Sequence, residues 1–181
     1  MSKPFVFSTD YREGSAKNLV RYLENKEQEQ GRDRLRDSSG QPLSDTEKKG
    51  LIAASEHYDF ERQLTFSPGG DSMDREQLDR AGRNALRDWA EGRPTARYAY
   101  AVQTDRENYH VQAVAVGSKS DLRMDREDLA QTRSQATERF QEQEQERERT
   151  RNRDRERPED VDHDRDHEQE HEQDRDRGMS L

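Results

Sequence analysis

Short runs of apolar residues predict four β-strands in this chain. The runs cover residues 4–9, 58–66, 96–103 and 109–116. The second run alternates most clearly, because polar residues separate Phe60, Leu64 and Phe66, and only Arg62 departs from the pattern. A polar turn of five residues, TDREN, separates the third run from the fourth, so these two runs predict a β-hairpin.

Apolar residues spaced three or four positions apart predict four helices. These cover residues 15–31, 44–55, 74–92 and 125–140. Ser15 and Asp74 are residue types that favour the N-cap, and Ser44 with Glu47 has the spacing of a capping box. The element order, β-α-α-β-α-β-β-α, predicts an α+β fold in which one antiparallel sheet carries helices on one face. The other face of that sheet would then be free for function.

The residue composition predicts a folded domain followed by a tail. Only 27% of the residues are hydrophobic, 40% are charged, and the apolar residues are concentrated in residues 1–130. We expect residues 1–130 to form the α+β domain and residues 131–181 to form a charged low-complexity tail. Alternating Glu and Arg predict that this tail continues as a solvated helix up to Pro158, and we expect disorder beyond it.

Charge and cysteine content narrow the functional classes. The net charge of −9 argues against a strongly basic nucleic-acid binder, although it is compatible with a local basic patch. The chain has no cysteine, which excludes disulfides and thiolate metal sites. No apolar run approaches the ~18 residues of a transmembrane helix, and the N-terminus lacks the apolar core of a signal peptide. We therefore expect a soluble cytoplasmic protein with no membrane partner.

Three polar side chains interrupt the apolar runs of the predicted hairpin. Because strand side chains alternate between faces, His110 and Gln112 point the same way, and the turn brings Gln103 opposite His110 or its neighbour. Asp105 lies at the edge of this group, in the turn. Imidazole nitrogen and amide oxygen can both bind metals, so the group is a candidate for a weak metal site. The alternative is an ordinary solvated sheet face.

Three segments resemble, in order, motifs of the HUH-type relaxases, the endonucleases of plasmid mobilisation. The hairpin sequence Gln103-x-Asp105-x4-His110-x-Gln112 resembles their third motif, H-x-D-x4-H-x-H, in a strand, turn and strand. SAKNLVRYLENKEQ resembles the first motif, a helix whose nucleophilic tyrosine aligns with Tyr22. YDFERQLTFSPGGDSMDREQL resembles the family segment in which a strand ends in Ser-Phe-Ser-Pro-like residues before a turn and a helix. The resemblance spans roughly residues 5–130.

The resemblance implies a relaxase or ferredoxin-like palm that nicks single-stranded DNA. In the family, the tyrosine hydroxyl attacks a phosphate of the DNA backbone and forms a covalent 5′-phosphotyrosine link. A divalent metal polarises that phosphate. This implies catalytic roles for Tyr22 and Asp105, and a metal site at His110, Gln103 and Gln112. Single-stranded DNA and other mobilisation proteins are the implied partners.

Two of the family's three metal-ligand histidines are glutamine here, which leaves several alternatives open. One is a weakly held Mg²⁺ or Mn²⁺ with Asp105 as a direct ligand. Another is a relaxase fold that binds DNA without cutting it, as an accessory protein. The last is a mistaken alignment, in a small interaction protein whose charged tail recruits partners. Tyr11, in the predicted loop before the first helix, is a second candidate nucleophile.

Arginines and tyrosines provide candidate DNA contacts around the hairpin. The arginines are candidates for phosphate contacts if they share the face of the hairpin site; they are Arg21, Arg62, Arg97 and Arg106. Three hairpin tyrosines are candidates for stacking on bases, with packing in the core as the alternative; they are Tyr98, Tyr100 and Tyr109.

Overall fold

The computed structural model describes residues 4–13, 35–69, 73–105 and 108–157, with Asp105 and Asn108 described by their backbone alone. Its elements are β1 (Val6–Glu13), α1 (Asp45–Tyr58), β2 (Phe60–Ser67), α2 (Arg75–Ala90), β3 (Arg97–Asp105), β4 (Asn108–Val116), α3 (Lys119–Leu122) and α4 (Arg126–Glu156). The helix predicted at residues 15–31 lies outside the described residues, as does the tail beyond residue 157.

The four strands form one antiparallel sheet in the order β1-β2-β4-β3. This confirms the predicted α+β class. The hairpin strands are longer than predicted, because β3 continues to Asp105 and β4 begins at Asn108. Two residues therefore connect the strands, where the sequence pattern predicted a turn of five.

Three of the described helices begin at capping boxes. In each, the side chain of the N-cap residue accepts a hydrogen bond from the backbone N–H of the third helical residue (N3), and the N3 side chain accepts one from the backbone N–H of the N-cap residue. Ser44 and Glu47 form this pair in α1, as predicted from their spacing. The predicted cap Asp74 does the same with Gln77 in α2, and Asp125 with Asp128 in α4. Each box satisfies backbone N–H groups that have no partner inside the helix, so these short polar motifs fix where the helices start.

The main hydrophobic core lies between one face of the sheet, which we call the covered face, and the long helices α2 and α4. Its largest fully buried side chains from the strands include Leu64, Phe66, Tyr100 and Val111. The apolar residues Leu78, Leu86 and Trp89 of α2 are buried here, and Phe140 of α4 contacts the rings of Phe5 and Phe66. Burial of this apolar area is the main favourable term for the fold.

The opposite face of the sheet, which we call the second face, is covered at one end only. There α1 and the segment around Leu35 pack on a smaller apolar cluster of strand residues, comprising Ala99, Ala101, Val114 and Val116. The backbone of Arg36 pairs with Tyr100 on the outer edge of β3 through two hydrogen bonds of 2.7 and 3.0 Å. The hairpin end of the second face carries the polar side chains instead.

The helix α4 is continuous from Arg126 to Glu156, so the predicted boundary at residue 130 falls within its second turn. Thr132, Ala136, Phe140 and Gln143 of this helix are buried. The first half of α4 thus packs on the domain, and its second half is an exposed, highly charged helix. Over the described ranges, no helix has the length and apolarity needed to cross a membrane.

Candidate functional site

The hairpin brings Gln103, His110 and Gln112 together, and we call these three residues the polar patch. Gln103 lies directly opposite His110 in the β3–β4 register. Side chains opposite each other in an antiparallel pair have Cβ atoms about 5 Å apart. Gln112 follows two residues along β4, about 7 Å from His110 on the same face. The convergence predicted from strand alternation is therefore present in the sheet.

The polar patch lies on the second face and is partly exposed. All three side chains are intermediate in burial. The adjacent residues Val102, Val111 and Ala113 point the opposite way and are fully buried in the main core. These buried neighbours hold the backbone beneath the patch against the main core.

The donor set of the polar patch fits a divalent cation only weakly. It offers one imidazole nitrogen and two amide oxygens, and none of these groups carries a negative charge when it binds a metal. A hard cation held by such donors keeps most of its water. Within the described part of the chain, no group of three His, Cys, Asp or Glu side chains is arranged to hold a metal ion.

The remaining predicted catalytic and DNA-binding residues differ in how far the structure describes them. Asp105 ends β3 opposite Asn108, at the hairpin end where the polar patch lies. Tyr22, Arg21 and Arg106 lie outside the described residues.

Arg62 is not on the face that its predicted DNA-binding role requires. Its side chain lies on the covered face, and the residue is 6% exposed. Its Nε donates to the carbonyl oxygen of Leu122 at 2.6 Å, and its Nη1 donates to Oγ1 of Thr9 at 2.9 Å. Burial lowers the pKa of this guanidinium. Arg62 therefore ties the end of α3 to the sheet, which explains why a charged residue interrupts an apolar alternation.

Arg97 is on the required face, but at the far end of β3. It is exposed and pairs with Val116 in the register, six residues before Gln103. At about 3.3 Å per residue, that separation is roughly 20 Å along the strand. A single phosphate could not contact both ends, and α1 and the segment around Leu35 cover Ala99 and Ala101 between them.

Tyr11 belongs to β1 and not to a loop, and it points away from the polar patch. Its ring stacks on Phe60 with 5.8 Å between centroids, and the guanidinium of Arg62 lies 5.0 Å from its centroid. Burial, followed by the charge of Glu13, raises the pKa of its hydroxyl. The suggestion that Tyr11 serves as a nucleophile at the polar patch is therefore wrong, because the sheet separates the two.

The hairpin tyrosines all lie on the covered face. Tyr100 is fully buried, and its hydroxyl donates to Oδ1 of Asp79 at 2.7 Å. Burial, followed by that hydrogen bond, raises its pKa. Tyr98 and Tyr109 are partly buried against the same core. These rings pack in the main core, and base stacking by Tyr100 would require the fold to open.

Further polar residues beside the patch were not singled out from the sequence. Thr65 of β2 lies opposite Gln112, and Ser8 of β1 lies opposite Thr65, so one row of polar side chains crosses three strands. Gln63 and Asp10 form the next row. The alternation in β2 already indicated that Gln63 and Thr65 face away from the core. Only the strand order reveals that they continue the polar patch.

Comparison of this chain with models of protein families, with curated proteins and with solved structures found no match.

Proposed function

We propose that this protein binds single-stranded DNA across the second face of its sheet and nicks it through Tyr22, in the manner of the relaxases it resembles. The observation that carries the proposal is the direct pairing of Gln103 with His110, with Gln112 beside them on a partly exposed face. This is the arrangement that the third relaxase motif requires of its three ligands. The associated process is plasmid mobilisation in the cytoplasm, together with other mobilisation proteins.

The polar patch would hold the scissile phosphate in the proposed reaction. The amide N–H groups of Gln103 and Gln112 donate hydrogen bonds to phosphate oxygens, and protonated His110 adds a positive charge. Alternatively, neutral His110 and the amide oxygens of Gln103 and Gln112 would hold a divalent cation such as Mg²⁺ or Mn²⁺, which would replace the imidazolium in stabilising charge on the phosphate. Tyr22 forms the bond from its hydroxyl oxygen to phosphorus, and the 3′ oxygen of the preceding nucleotide leaves and takes up a proton.

A labelled-strand assay tests the nicking reaction. A pool of single-stranded oligonucleotides with random sequence, labelled at the 3′ end, is incubated with the full chain and Mn²⁺. The label should migrate with the protein in denaturing gels, because the 5′ phosphate of the downstream fragment stays on the tyrosine. A pool labelled at the 5′ end should yield a shortened free strand and no labelled protein.

Tyr22→Phe should abolish the adduct, and Tyr11→Phe is the matched control. Tyr11 lies on the covered face, so its variant should form the adduct at the wild-type rate. His110→Ala should slow adduct formation by about 100-fold, as expected for loss of one phosphate-stabilising group. An adduct that survives in Tyr22→Phe would reject Tyr22 as the nucleophile.

A second candidate function is DNA binding without cleavage, and the uncharged donor set of the polar patch favours it. Weak metal binding removes most of the charge stabilisation that phosphoryl transfer needs. This candidate predicts no adduct with Mg²⁺ or Mn²⁺, but a gel shift with single-stranded DNA that Gln103→Ala and Gln112→Ala both weaken. Absence of the gel shift as well as the adduct would reject both candidates.

A further inference from the structure

A second group of polar residues lies beside the polar patch, and we call it the flanking surface. It consists of Ser8 and Asp10 of β1 with Gln63 and Thr65 of β2, all on the second face. Ser8 and Asp10 are exposed, and Gln63 and Thr65 are partly exposed. The register joins the two surfaces directly, because Thr65 lies opposite Gln112 of the polar patch. A strand bound at the patch can therefore continue over the flanking surface.

The flanking surface does not have the charge of a phosphate-binding site. Its carboxylate, Asp10, forms an ion pair with the exposed Arg12 on the same face, with an Oδ2–Nε distance of 3.0 Å, so the two charges cancel. The other three side chains are neutral. An ion pair with no net charge adds little attraction for a phosphodiester backbone, because affinity for that backbone comes mainly from an excess of Lys and Arg. Neutral amide and hydroxyl groups, by contrast, match the donors and acceptors of unpaired bases.

We infer that the flanking surface binds the hydrogen-bonding edges of unpaired bases in a DNA strand, and that the phosphates of that strand point to solvent. This inference rests on the proposed function, since it assumes a DNA strand at the polar patch. The carboxylate of Asp10 and the amide oxygen of Gln63 accept hydrogen bonds from exocyclic amino groups. Adenine, cytosine and guanine carry such a group, whereas thymine does not and has only its ring N3–H as a donor. The surface should therefore favour adenine or cytosine over thymine.

Base recognition of this kind has a measurable salt signature. Each phosphate neutralised on a single strand contributes about −0.7 to the slope of log affinity against log salt concentration. Contacts to base edges contribute almost nothing to that slope. We expect a slope shallower than about −1.5, equivalent to about two phosphates.

The test measures affinities of the full chain for the 12-residue strands dA12, dC12 and dT12 between 50 and 300 mM KCl. The Tyr22→Phe background keeps the strands intact, and Mg²⁺ is present throughout. We expect dA12 or dC12 to bind about tenfold more tightly than dT12, since one well-formed base contact discriminates by that order. The double variant Asp10→Ala with Gln63→Met removes both acceptors and should bind the three strands equally.

A matched control removes similar groups elsewhere. Gln131→Ala with Ser134→Ala changes two exposed residues of α4, and it should retain the preference. Thermal unfolding followed by circular dichroism shows whether each variant is folded.

The possible outcomes separate this inference from the proposed function. Equal affinity of the parent protein for the three strands, a slope steeper than −1.5, or a preference that persists in the Asp10 and Gln63 double variant would overturn base recognition here and leave DNA binding intact. Failure to bind any of the strands at 50 mM KCl would overturn the proposed function as well.

Discussion

The two faces of the sheet are built from the same four strands but differ in what covers them. The covered face is sealed by α2 and α4, and its strand residues Leu64, Phe66, Val102 and Val111 have no exposed surface. The second face is sealed only at one end, by α1 and the segment around Leu35. At its hairpin end it carries polar, partly exposed side chains.

This difference shows how one sheet combines a buried, stabilising face with a partly exposed polar one. Strand side chains alternate between faces, so each apolar residue on the covered face positions a neighbour on the second face. The apolar area buried under α2 and α4 supplies most of the stabilisation. The polar patch and the flanking surface then cost little stability, because their polar groups remain in contact with water.

The largest effect that separates the faces should come from adjacent residues of β2. Phe66→Ala removes a fully buried ring from the main core, and we expect it to lower the free energy of unfolding by about 3–5 kcal/mol. Thr65→Val changes the preceding residue, which lies on the second face, and should alter the free energy of unfolding by less than about 0.5 kcal/mol. Urea unfolding measures both. Similar losses from the two variants would mean that the second face is as tightly packed as the covered one.

A smaller contrast should come from two helical glycines. A Cβ atom at Gly82 of α2 would lie 2.6 and 2.7 Å from the methyl carbons of Val111, whereas one at Gly50 of α1 would have no atom within 4 Å. Gly82→Ala should therefore destabilise the protein by about 1–3 kcal/mol through overpacking. Gly50→Ala should stabilise it by about 0.5–1 kcal/mol, because alanine favours the helix.

The glycine comparison has its own internal check, measured by thermal unfolding. Adding Val111→Ala to Gly82→Ala makes room for the new methyl group, and should cost less than the sum of the two single variants. If instead Gly82→Ala raised the melting temperature, α2 would not lie as close to the sheet as Val111 requires.

The smallest effect concerns a carboxyl group buried on the second face. Glu61 is 4% exposed, and its Oε1 has no hydrogen-bond partner among the described residues. Burial raises its pKa, and the charge of Arg12 opposes that shift in part. The folded state thus holds this proton more tightly than the unfolded state, so Glu61 reduces stability as the pH rises from about 4.5 through the raised pKa.

Glu61→Gln removes this titration, so it should stabilise the protein more at pH 8 than at pH 4. The expected gain at pH 8 is about 1 kcal/mol, the order of one unsatisfied buried polar group. Melting temperatures of the variant and the wild type across that range measure the difference. A difference that is constant with pH would show that Glu61 is ionised at no cost in the folded state.

Local signals in the sequence predicted much of this fold because their physics is local. The capping boxes at Ser44 and Asp74 satisfy helix N–H groups within four residues, so sequence spacing alone locates them. The convergence of Gln103 and His110 follows from alternation and a short turn. The apolar pattern predicts strands shorter than β3 and β4, because the pairing of Asp105 with Asn108 extends the hairpin beyond its apolar residues.

Long-range pairings account for what the sequence could not show. The acceptor of Arg62 is the carbonyl of Leu122, which lies 60 residues away and is found only once α3 reaches the sheet. The position of Tyr11 depends on β1 extending past its apolar start to pair with β2. One feature of the sequence does indicate that α1 packs on the second face. The unbroken apolar run at residues 113–116 is typical of a strand buried on both faces.

The backbone pairing of Arg36 with Tyr100 has a consequence for how copies of this protein meet one another. β3 is the outermost strand on its side of the sheet, and an uncovered apolar strand is a template for strand addition by another chain. Arg36 occupies the backbone groups of Tyr100 in the middle of the most apolar part of β3. The short segment before α1 therefore blocks strand addition at this position. We expect that its loss would first reduce the solubility of the protein at high concentration.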